Sequence, residues 1–312
     1  MSDLYVYAYK PATHLCAEGE DAADFLQSQF SNDLRAFGAG RCTYGLWLDA
    51  KGKVQADAQI LQEGAESFRI ISEDSGEDAL RAHLERHLVA DDVAIEPSAS
   101  YREAFALIGE QGSTVLEALG ITVPEPGQYS RGEGVLAFPG RRSRQVSYEL
   151  LLESASASGE ALRVMESLGG QSVSADWIEQ ARMSFGNPRV PIELGPEDLP
   201  GEASLVGHAV SLHKGCFLGQ EVVARMHNVG RPRRGLFLLR GDGSAPGLPA
   251  EVHRAMPEAA GRPVGQLRSA VPVENGWQGV AMLKLQAVEA ASVLSVCEHP
   301  ILSVEPLRGG EA

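Results

Sequence analysis

The first hundred residues alternate between helix-like and strand-like patterns of apolar positions. DAADFLQSQFSNDL (21–34) places its apolar residues on one helical stripe, and GEDALRAHLERHL repeats leucine at every fourth position. Between them, YGLWLDAKGKVQADAQIL predicts two strands joined by a turn in which Gly52 can adopt a positive φ. SFRIIS and DVAIEP add two further strands. The order β-β-β-α-β predicts an α+β unit with an antiparallel sheet rather than a doubly wound sheet.

A similar unit follows over the next part of the chain. EAFALIG, GVLAFPG and RQVSYELLLES have strand patterns, whereas GSTVLEALG and SGEALRVMESLGG have helical ones. A further helix, SADWIEQARMSF, stops at GNP. The next 28 residues, RVPIELGPEDLPGEASLVGHAVSLHKGC, are rich in Pro and Gly, and an ordered loop of this length is usually functional.

The last eighty residues have a different pattern of apolar positions and turn residues. RGLFLLRG, PVGQLRSAV, GVAMLKLQAV, ASVLSVC and ILSVEPL predict short strands separated by turn residues, which is typical of a small barrel or sandwich. We therefore expect three domains: an N-terminal α+β module (1–100), a second α+β module (101–230) that contains the Cys216 segment, and a C-terminal all-β domain (231–312).

Composition and charge narrow the classes of partner. The chain has 312 residues, with 27 Lys+Arg against 42 Asp+Glu and a formal net charge of −15. Such a protein is a poor general binder of nucleic acid or anionic membrane. No apolar run approaches transmembrane length and the start does not resemble a signal peptide, which predicts a cytoplasmic location.

Motif spacing excludes several chemistries. Four widely spaced cysteines contain no C-x-x-C pair, which argues against a zinc knuckle, a thioredoxin-type site and a disulfide framework, and no metal site is predicted. The chain also lacks a phosphate loop, a dinucleotide-binding glycine motif, a G-x-S-x-G elbow and an H-E-x-x-H pair.

The segment HKGCFLGQEVVARMH (213–227) surrounds Cys216 with polar and basic residues. A helical pattern, QEVVARM, starts shortly after the cysteine, so helix N–H groups and Lys214 would both favour the thiolate. His213 is a candidate base or cation beside it. The alternative is a packed cysteine next to a tight turn, which spacing alone does not exclude.

Other residues of this segment allow both a functional and a structural interpretation. Glu221 and Arg225 are four positions apart and can pair on a helix face. Gly215 and Gly219 permit close backbone approach, either to a ligand or to a neighbouring strand. The basic stretch RMHNVGRPRRG (225–235) could neutralise an anion, although most such runs are solvated faces.

At KGCFLGQEVVAR the chain resembles the YgfZ family of folate-binding proteins, related to IBA57 iron–sulfur assembly factors within the glycine-cleavage T-protein (aminomethyltransferase) superfamily. The family motif Lys-Gly-Cys-aromatic-x-Gly-Gln-Glu-x-x-x-Arg is matched at every defined position by Lys214, Gly215, Cys216, Phe217, Gly219, Gln220, Glu221 and Arg225. LDAKGKV and WIEQARMSFGNPRV resemble two further family segments, the second with Arg182, Gly186 and Pro188 in register.

The resemblance implies a three-domain α+β ring around a central hole that holds tetrahydrofolate. In this ring the N-terminal module (1–100) is interleaved with the second, and the C-terminal domain is a small β-barrel. It also implies a role in making or maintaining iron–sulfur clusters, and through them in tRNA methylthiolation. The implied partners are folate and iron–sulfur proteins or assembly factors, without direct nucleic acid or membrane contact. An aminomethyltransferase or other tetrahydrofolate-dependent one-carbon transferase is the alternative, as is a scaffold with a vestigial folate pocket. Whether the chain catalyses a reaction stays open.

The resemblance also assigns candidate site residues. Cys216 is the candidate reactive thiol, grouped with Lys214, Glu221 and Arg225 as possible catalytic residues. The residues assigned to folate binding are Trp177, Gly215, Gly219 and Gln220. Ser174 is a good N-cap three residues before Trp177, whose indole offers a flat face for a heteroaromatic ligand. Spacing alone instead favours Trp177 as the core anchor of its helix.

Overall fold

The computed structural model describes residues 3–101, 103–255, 262–289 and 293–307. The helices are α1 (Ala22–Gln29), α2 (Glu77–Glu85), α3 (Gly112–Ala118), α4 (Ala155–Ser167), α5 (Ala175–Phe185), α6 (Gln220–Asn228) and α7 (Leu285–Glu289), with a 3-10 turn at Pro200–Ala203. The strands are β1 (Tyr5–Tyr9), β2 (Thr13–Glu18), β3 (Arg41–Leu48), β4 (Val54–Gln62), β5 (Ser67–Ser72), β6 (Ala94–Pro97), β7 (Glu103–Ile108), β8 (Ser130–Gly132), β9 (Val135–Pro139), β10 (Ser147–Leu152), β11 (Gln171–Ser172), β12 (Arg234–Gly241), β13 (Ala250–Arg254), β14 (Gly265–Val273), β15 (Gly276–Lys284), β16 (Leu294–Val296) and β17 (His299–Pro306).

The first sheet is antiparallel and has the order β3-β4-β5-β2-β6. Helices α1 and α2 cover one face, where Phe25, Leu26, Leu80 and Leu84 are buried against apolar residues of the strands. The β3–β4 turn places Gly52 at φ +71°, as its sequence predicts. Alternate residues of β4 are buried in this core, which leaves Asp57 and Gln59 on the opposite face.

The second sheet has the order β11-β1-β7-β10-β9-β8, and its core lies against α3 and α4. Its strand β1 comes from the N-terminal end of the chain and pairs with β7, so the two α+β units share the first hundred residues. A small apolar cluster that includes Cys42, Ile71, Leu136 and Leu151 joins the two sheets back to back. Charged residues line the space that remains between them.

The C-terminal region is a closed barrel in the order β12-β15-β14-β13-β16-β17, which confirms the predicted β-barrel and the α+β fold class. One prediction here is wrong: GVAMLKLQAV does not continue as a strand beyond Lys284, because Leu285 begins α7. The N–H of Leu285 donates to the carbonyl of Arg233 (3.0 Å), which turns the chain back over β12. The first two residues of the predicted strand ASVLSVC lie outside the described residues, and β16 covers 294–296.

The long segment between α5 and α6 is packed rather than loose. Leu194, Leu205, Ala209 and Val210 are buried in a core that also contains residues of β3, β4, α6 and the barrel. This segment therefore connects the first sheet to the barrel. Among the helices in the described ranges, none is long and apolar enough to cross a membrane.

Candidate functional site

A small inner chamber lies between the two sheets. Its volume is about 40 Å³, and it is lined by side chains of β3, β4, β5, the β9–β10 hairpin and the end of α5. The lining residues that matter below are Tyr44, Asp57, Glu73, Asp74, Arg141, Arg142, Arg182, Asn187 and Arg189. The segment GNPR, which follows α5, thus supplies one wall.

A stacked pair separates the inner chamber from a larger outer pocket of about 440 Å³. The guanidinium of Arg141 lies 3.2 Å from the centre of the Tyr44 ring, and Arg141 donates to the side-chain oxygen of Asn187 (3.3 Å). Tyr44, Arg141 and Asn187 line both cavities. Arg141, held by this cation–π contact and by Asn187, therefore forms a partition between the two cavities.

Asp57 is the best-satisfied acid of the inner chamber. It accepts hydrogen bonds from the hydroxyls of Tyr44 (3.0 Å), Ser72 (3.0 Å) and Ser75 (2.8 Å). Burial raises the pKa of Asp57, although these hydroxyls and the charge of Arg141 oppose the shift. Asp57 therefore holds the Tyr44 ring in place beneath Arg141.

Two carboxylates share the single guanidinium of Arg142. Arg142 contacts Glu149 (3.1 Å) and Glu73 (3.0 Å), and the hydroxyl of Tyr9 donates to Glu149 (2.7 Å). The side chain of Glu149 is 2% exposed, whereas that of Glu73 is 35% exposed and lines the chamber. Burial raises the pKa of Glu73 to about 8, and the charges of Glu149 and Asp74 add to this effect against Arg142. Two carboxyl groups beside one guanidinium therefore favour retention of a proton by the pair.

The Arg-x-x-x-Gly-x-Pro segment provides a buried ion-pair node behind the chamber. Arg182 contacts Glu193 (2.7 Å) and Glu179 (2.7 Å), and the side chain of Glu193 is fully buried. Glu193 also accepts from the N–H of Arg189 (2.8 Å) and from Ser269 of the barrel. One carboxylate therefore ties α5, the chamber wall and the barrel together.

In the KGCFLGQE segment, Lys214 has a structural environment. Its ammonium donates to the carbonyls of Gln27 (2.6 Å), Phe30 (2.6 Å) and Asn32 (2.9 Å), which accounts for all three of its N–H groups. Burial lowers the pKa of Lys214 to about 8, while Asp33 opposes the shift. Lys214 thereby fixes the end of α1 and Asn32, a residue that lines the outer pocket. Its three donors are directed at these carbonyls, and its role beside the Cys216 thiol stays a prediction.

Cys216 itself is exposed and lies four positions before the first residue of α6. His213 is exposed too. The pair that the spacing of Glu221 and Arg225 allows does not form: within the described ranges neither residue makes an ion pair, and both side chains are exposed. The structure thus presents the Cys216 thiol on the surface.

The glycines of this segment differ in their surroundings. A Cβ atom on Gly219 (φ +82°) would lie 2.5 Å from the carbonyl oxygen of Asp49 and 2.9 Å from the Cα of Gly52. The turn of LDAKGKV therefore packs directly against the start of α6, where Gln220 is the first helical residue. Gly215 is exposed, and a Cβ there would meet no atom within 4 Å. Packing explains Gly219 but not Gly215.

Trp177 lies in the first turn of α5, whose N-cap is Ser174 as predicted: its hydroxyl accepts from the N–H of Trp177 (3.2 Å). The indole is half-buried and packs on Tyr5 of β1, with ring centres 4.8 Å apart. Ile178, not Trp177, is the buried residue of this turn. Trp177 is not among the residues that line the inner chamber or the outer pocket.

Sequence reasoning missed the charged residues of the chamber. One signal was available: Glu149 stands within the apolar run SYELLL, and a carboxylate in a buried strand requires a cation or a donor. The pair Arg141-Arg142 between two strands supplies that cation. Tyr44, Asp57 and Glu73 carried no comparable signal, since polar residues on an outward-facing strand surface are ordinary.

Comparisons with known proteins agree with this architecture. Residues 9–125 match the family described as the GCVT N-terminal domain. The iron-sulfur cluster assembly factor IBA57, mitochondrial, of Mus musculus is 26% identical over 303 residues, covering 92% of this chain and 79% of that protein. The tRNA-modifying protein YgfZ of Cronobacter sakazakii is 25% identical over 299 residues, covering 93% and 88%. The crystal structure of glycine cleavage system aminomethyltransferase T from Bartonella henselae superposes with a TM-score of 0.79 over 97% of this chain and 85% of that one, at 16% identity, a likeness of fold.

Proposed function

We propose that this chain, which belongs to the YgfZ and IBA57 family within the glycine-cleavage T-protein superfamily, binds tetrahydrofolate and acts in the assembly or repair of iron–sulfur clusters. The observation that carries the proposal is the extent of the match: relatives named for tRNA modification and for iron–sulfur cluster assembly align with 92% or more of the chain. An effect on tRNA methylthiolation would then follow through the cluster-containing enzymes.

The two cavities between the sheets suit a folate. The outer pocket, at about 440 Å³, has the size of sites for small organic ligands. The ring of Tyr44 already holds the planar guanidinium of Arg141, so it can also hold a flat heteroaromatic ring. Asp57 would accept hydrogen bonds from ring and amino N–H groups. Tetrahydrofolate would supply a carrier for one-carbon units.

A calorimetric titration of the intact chain with tetrahydrofolate under anaerobic conditions tests this proposal. Loss of the stacking face in Tyr44→Leu should weaken binding by about 5- to 150-fold, the equivalent of roughly 1–3 kcal/mol. Tyr7→Leu is the matched control, because Tyr7 is half-buried on β1 and lines neither cavity. Absence of binding by the unmodified chain, or an equal effect of both substitutions, would overturn the folate site.

The folate contacts assigned from the family motif stay predictions. They are Trp177, Gly215, Gly219 and Gln220, and of these Trp177 has a direct optical test. If its half-buried indole contacts folate, tetrahydrofolate should quench its fluorescence, and Trp177→Ala should weaken binding by roughly 1–3 kcal/mol. Unchanged fluorescence and affinity would remove Trp177 from the site and leave Tyr44 as the stacking residue.

Cys216 is the proposed contact with the iron–sulfur chemistry, because it is an exposed thiol in the family motif. Lys214 supports its loop from below, and Glu221 and Arg225 present free charges on the adjacent helix. The alternative, transfer of an aminomethyl group to tetrahydrofolate, is tested with lipoylated H protein carrying that group. Formation of methylenetetrahydrofolate, with release of ammonia and of H protein carrying the dihydrolipoyl group, would favour the transferase.

A further inference from the structure

A groove runs along the C-terminal half of α6, past the 3-10 turn and towards α7. Two adjoining cavities of about 300 and 900 Å³ form it, and both are lined by Met226 and Pro232. Val206 and Val223 extend its apolar floor at one end, and Leu285 of α7 does so at the other. We call this surface the α6–α7 groove.

The rim of the α6–α7 groove carries cations without partners. Within the described ranges, Arg231 and Arg233 form no hydrogen bond through their side chains and no ion pair, and both are exposed. Lys284 adds a third charge and donates to one carbonyl, that of Pro263 (2.9 Å). Two acids are among the described residues that line the groove. Glu202 is paired with Arg234 (2.9 Å), whereas exposed Glu289 forms no ion pair in the described ranges.

This local charge opposes that of the whole chain, which carries a formal net charge of −15. A positive groove on an acidic protein selects anionic partners and repels another copy of the same chain. The apolar floor adds a second requirement, since burying it needs apolar side chains on the partner. Methionine is suited to such a floor because its flexible, polarisable side chain adapts to different shapes.

From these features we infer that the α6–α7 groove binds a short segment of a partner protein that combines acidic residues with leucine-like side chains. A single-stranded nucleic acid is a poorer occupant, because among the described residues that line the groove none is Phe, Tyr or Trp, and base stacking needs such rings. The rim arginines would pair with the carboxylates, and the floor would bury the apolar side chains.

The loop that contains Cys216 leads into the first turn of α6, and the groove lies along the C-terminal half of the same helix. Helix α6 has nine residues and is about 14 Å long, so a segment seated at its C-terminal half brings its protein close to the exposed thiol. This positioning rests on the proposed function, in which Cys216 meets an iron–sulfur partner. The binding inference itself does not need folate or a cluster, so the two can fail separately.

The test uses the full chain and a short fluorescent peptide built of alternating pairs of glutamate and leucine. Fluorescence anisotropy should detect binding that weakens about tenfold or more in the double variant Arg231→Glu/Arg233→Glu. Arg231→Lys/Arg233→Lys should retain most of the affinity. Arg86→Glu/Arg240→Glu is the matched control, because it changes the net charge equally at two exposed arginines outside the groove.

A second arm isolates the apolar floor. Met226→Gln should weaken binding of the glutamate–leucine peptide. A peptide in which serine replaces leucine should bind poorly to the unmodified chain and to Met226→Gln alike, so the substitution should not change its affinity. The inference is overturned by three results: no binding of the glutamate–leucine peptide, an equal loss in the Arg86/Arg240 control, or tighter groove-dependent binding of a labelled oligonucleotide. Self-association of the chain that disappears in Arg231→Glu/Arg233→Glu would also overturn it, in favour of a second copy.

Discussion

The inner chamber and the surface around Cys216 use charged residues in opposite ways. In the chamber wall, Arg142 and Arg182 are buried and each contacts two carboxylates. Along α6 and in the segment that follows it, Glu221, Arg225 and Arg231 are exposed and unpaired in the described part of the chain. Buried charges must be paired, whereas exposed charges are free to meet a partner.

The difference separates residues that build a site from residues available to a ligand or a protein. Lys214 and Cys216 are two positions apart in one motif, yet Lys214 is buried beneath three carbonyls and Cys216 is exposed. Proximity in sequence therefore does not imply a shared role. Unfolding measurements can distinguish the two classes, because loss of a buried charged partner destabilises the fold and loss of an exposed side chain does not.

The largest loss of stability is expected at the node behind the chamber. Arg182→Met leaves the buried carboxylate of Glu193 without its cation, which should lower the free energy of unfolding by about 3–5 kcal/mol. Urea unfolding followed by circular dichroism measures the change. Arg182→Met/Glu193→Leu should recover part of it, because no uncompensated charge then remains. A loss below about 1 kcal/mol in the single variant would contradict the pairing.

A smaller loss is expected at Lys214. Lys214→Met leaves three carbonyls at the end of α1 without a donor, and we expect a decrease of about 2–4 kcal/mol in the free energy of unfolding. Lys53→Met is the control, since Lys53 donates to a single carbonyl, that of Glu197, and should lose less than about 1 kcal/mol. If both variants unfold alike, Lys214 does not have the structural role assigned to it.

Glu73 and Glu149, which share the guanidinium of Arg142, predict an effect of pH on stability that is of intermediate size. The pKa of Glu73 is raised to about 8 in the folded chain, so between about 4.3 and 8 the folded state holds a proton that the unfolded state lacks. Stability from this group is therefore present at low pH and is lost as the pH rises through that window. Glu73→Gln should remove this part of the decline in melting temperature between pH 5 and 8, whereas exposed Glu66→Gln should not. Parallel profiles for unmodified chain and Glu73→Gln would exclude the raised pKa.

The same contrast sets the limit of sequence reasoning. Periodicity and caps predicted α1, α2, α5, the β3–β4 turn and most strands of the C-terminal domain, because these depend on residues close together in the chain. The contacts of the chamber join residues far apart, such as Arg189 with Asp74, 115 positions away, and Arg141 with Asn187, 46 positions away. Local patterns carry no information on which distant charges meet. The motif marked Lys214 and Cys216 together but could not separate their environments.

The smallest change in stability, with the largest change in function, is expected at Cys216. Its side chain is exposed and forms no hydrogen bond within the described ranges, so Cys216→Ser should alter the free energy of unfolding by no more than about 0.5 kcal/mol. The variant should nevertheless fail to restore iron–sulfur enzyme activity and tRNA methylthiolation in a strain lacking the gene. Cys297→Ser is the matched control, because Cys297 is also an exposed free thiol.

Thiol labelling at neutral pH separates the cysteines further. Burial raises the pKa of Cys42 and shields it, so slow labelling of Cys42 is expected from exposure alone. Cys297 is the informative reference, because it is exposed like Cys216 but lies outside the KGCFLGQEVVAR segment. Faster labelling of Cys216 than of Cys297 would indicate that the loop before α6 activates the thiol. Equal labelling, together with full rescue by Cys216→Ser, would mean that the exposed Cys216 thiol has no chemical role. The contrast between paired, buried charges in the inner chamber and unpaired, exposed charges on the surface would then rest on the rim of the α6–α7 groove.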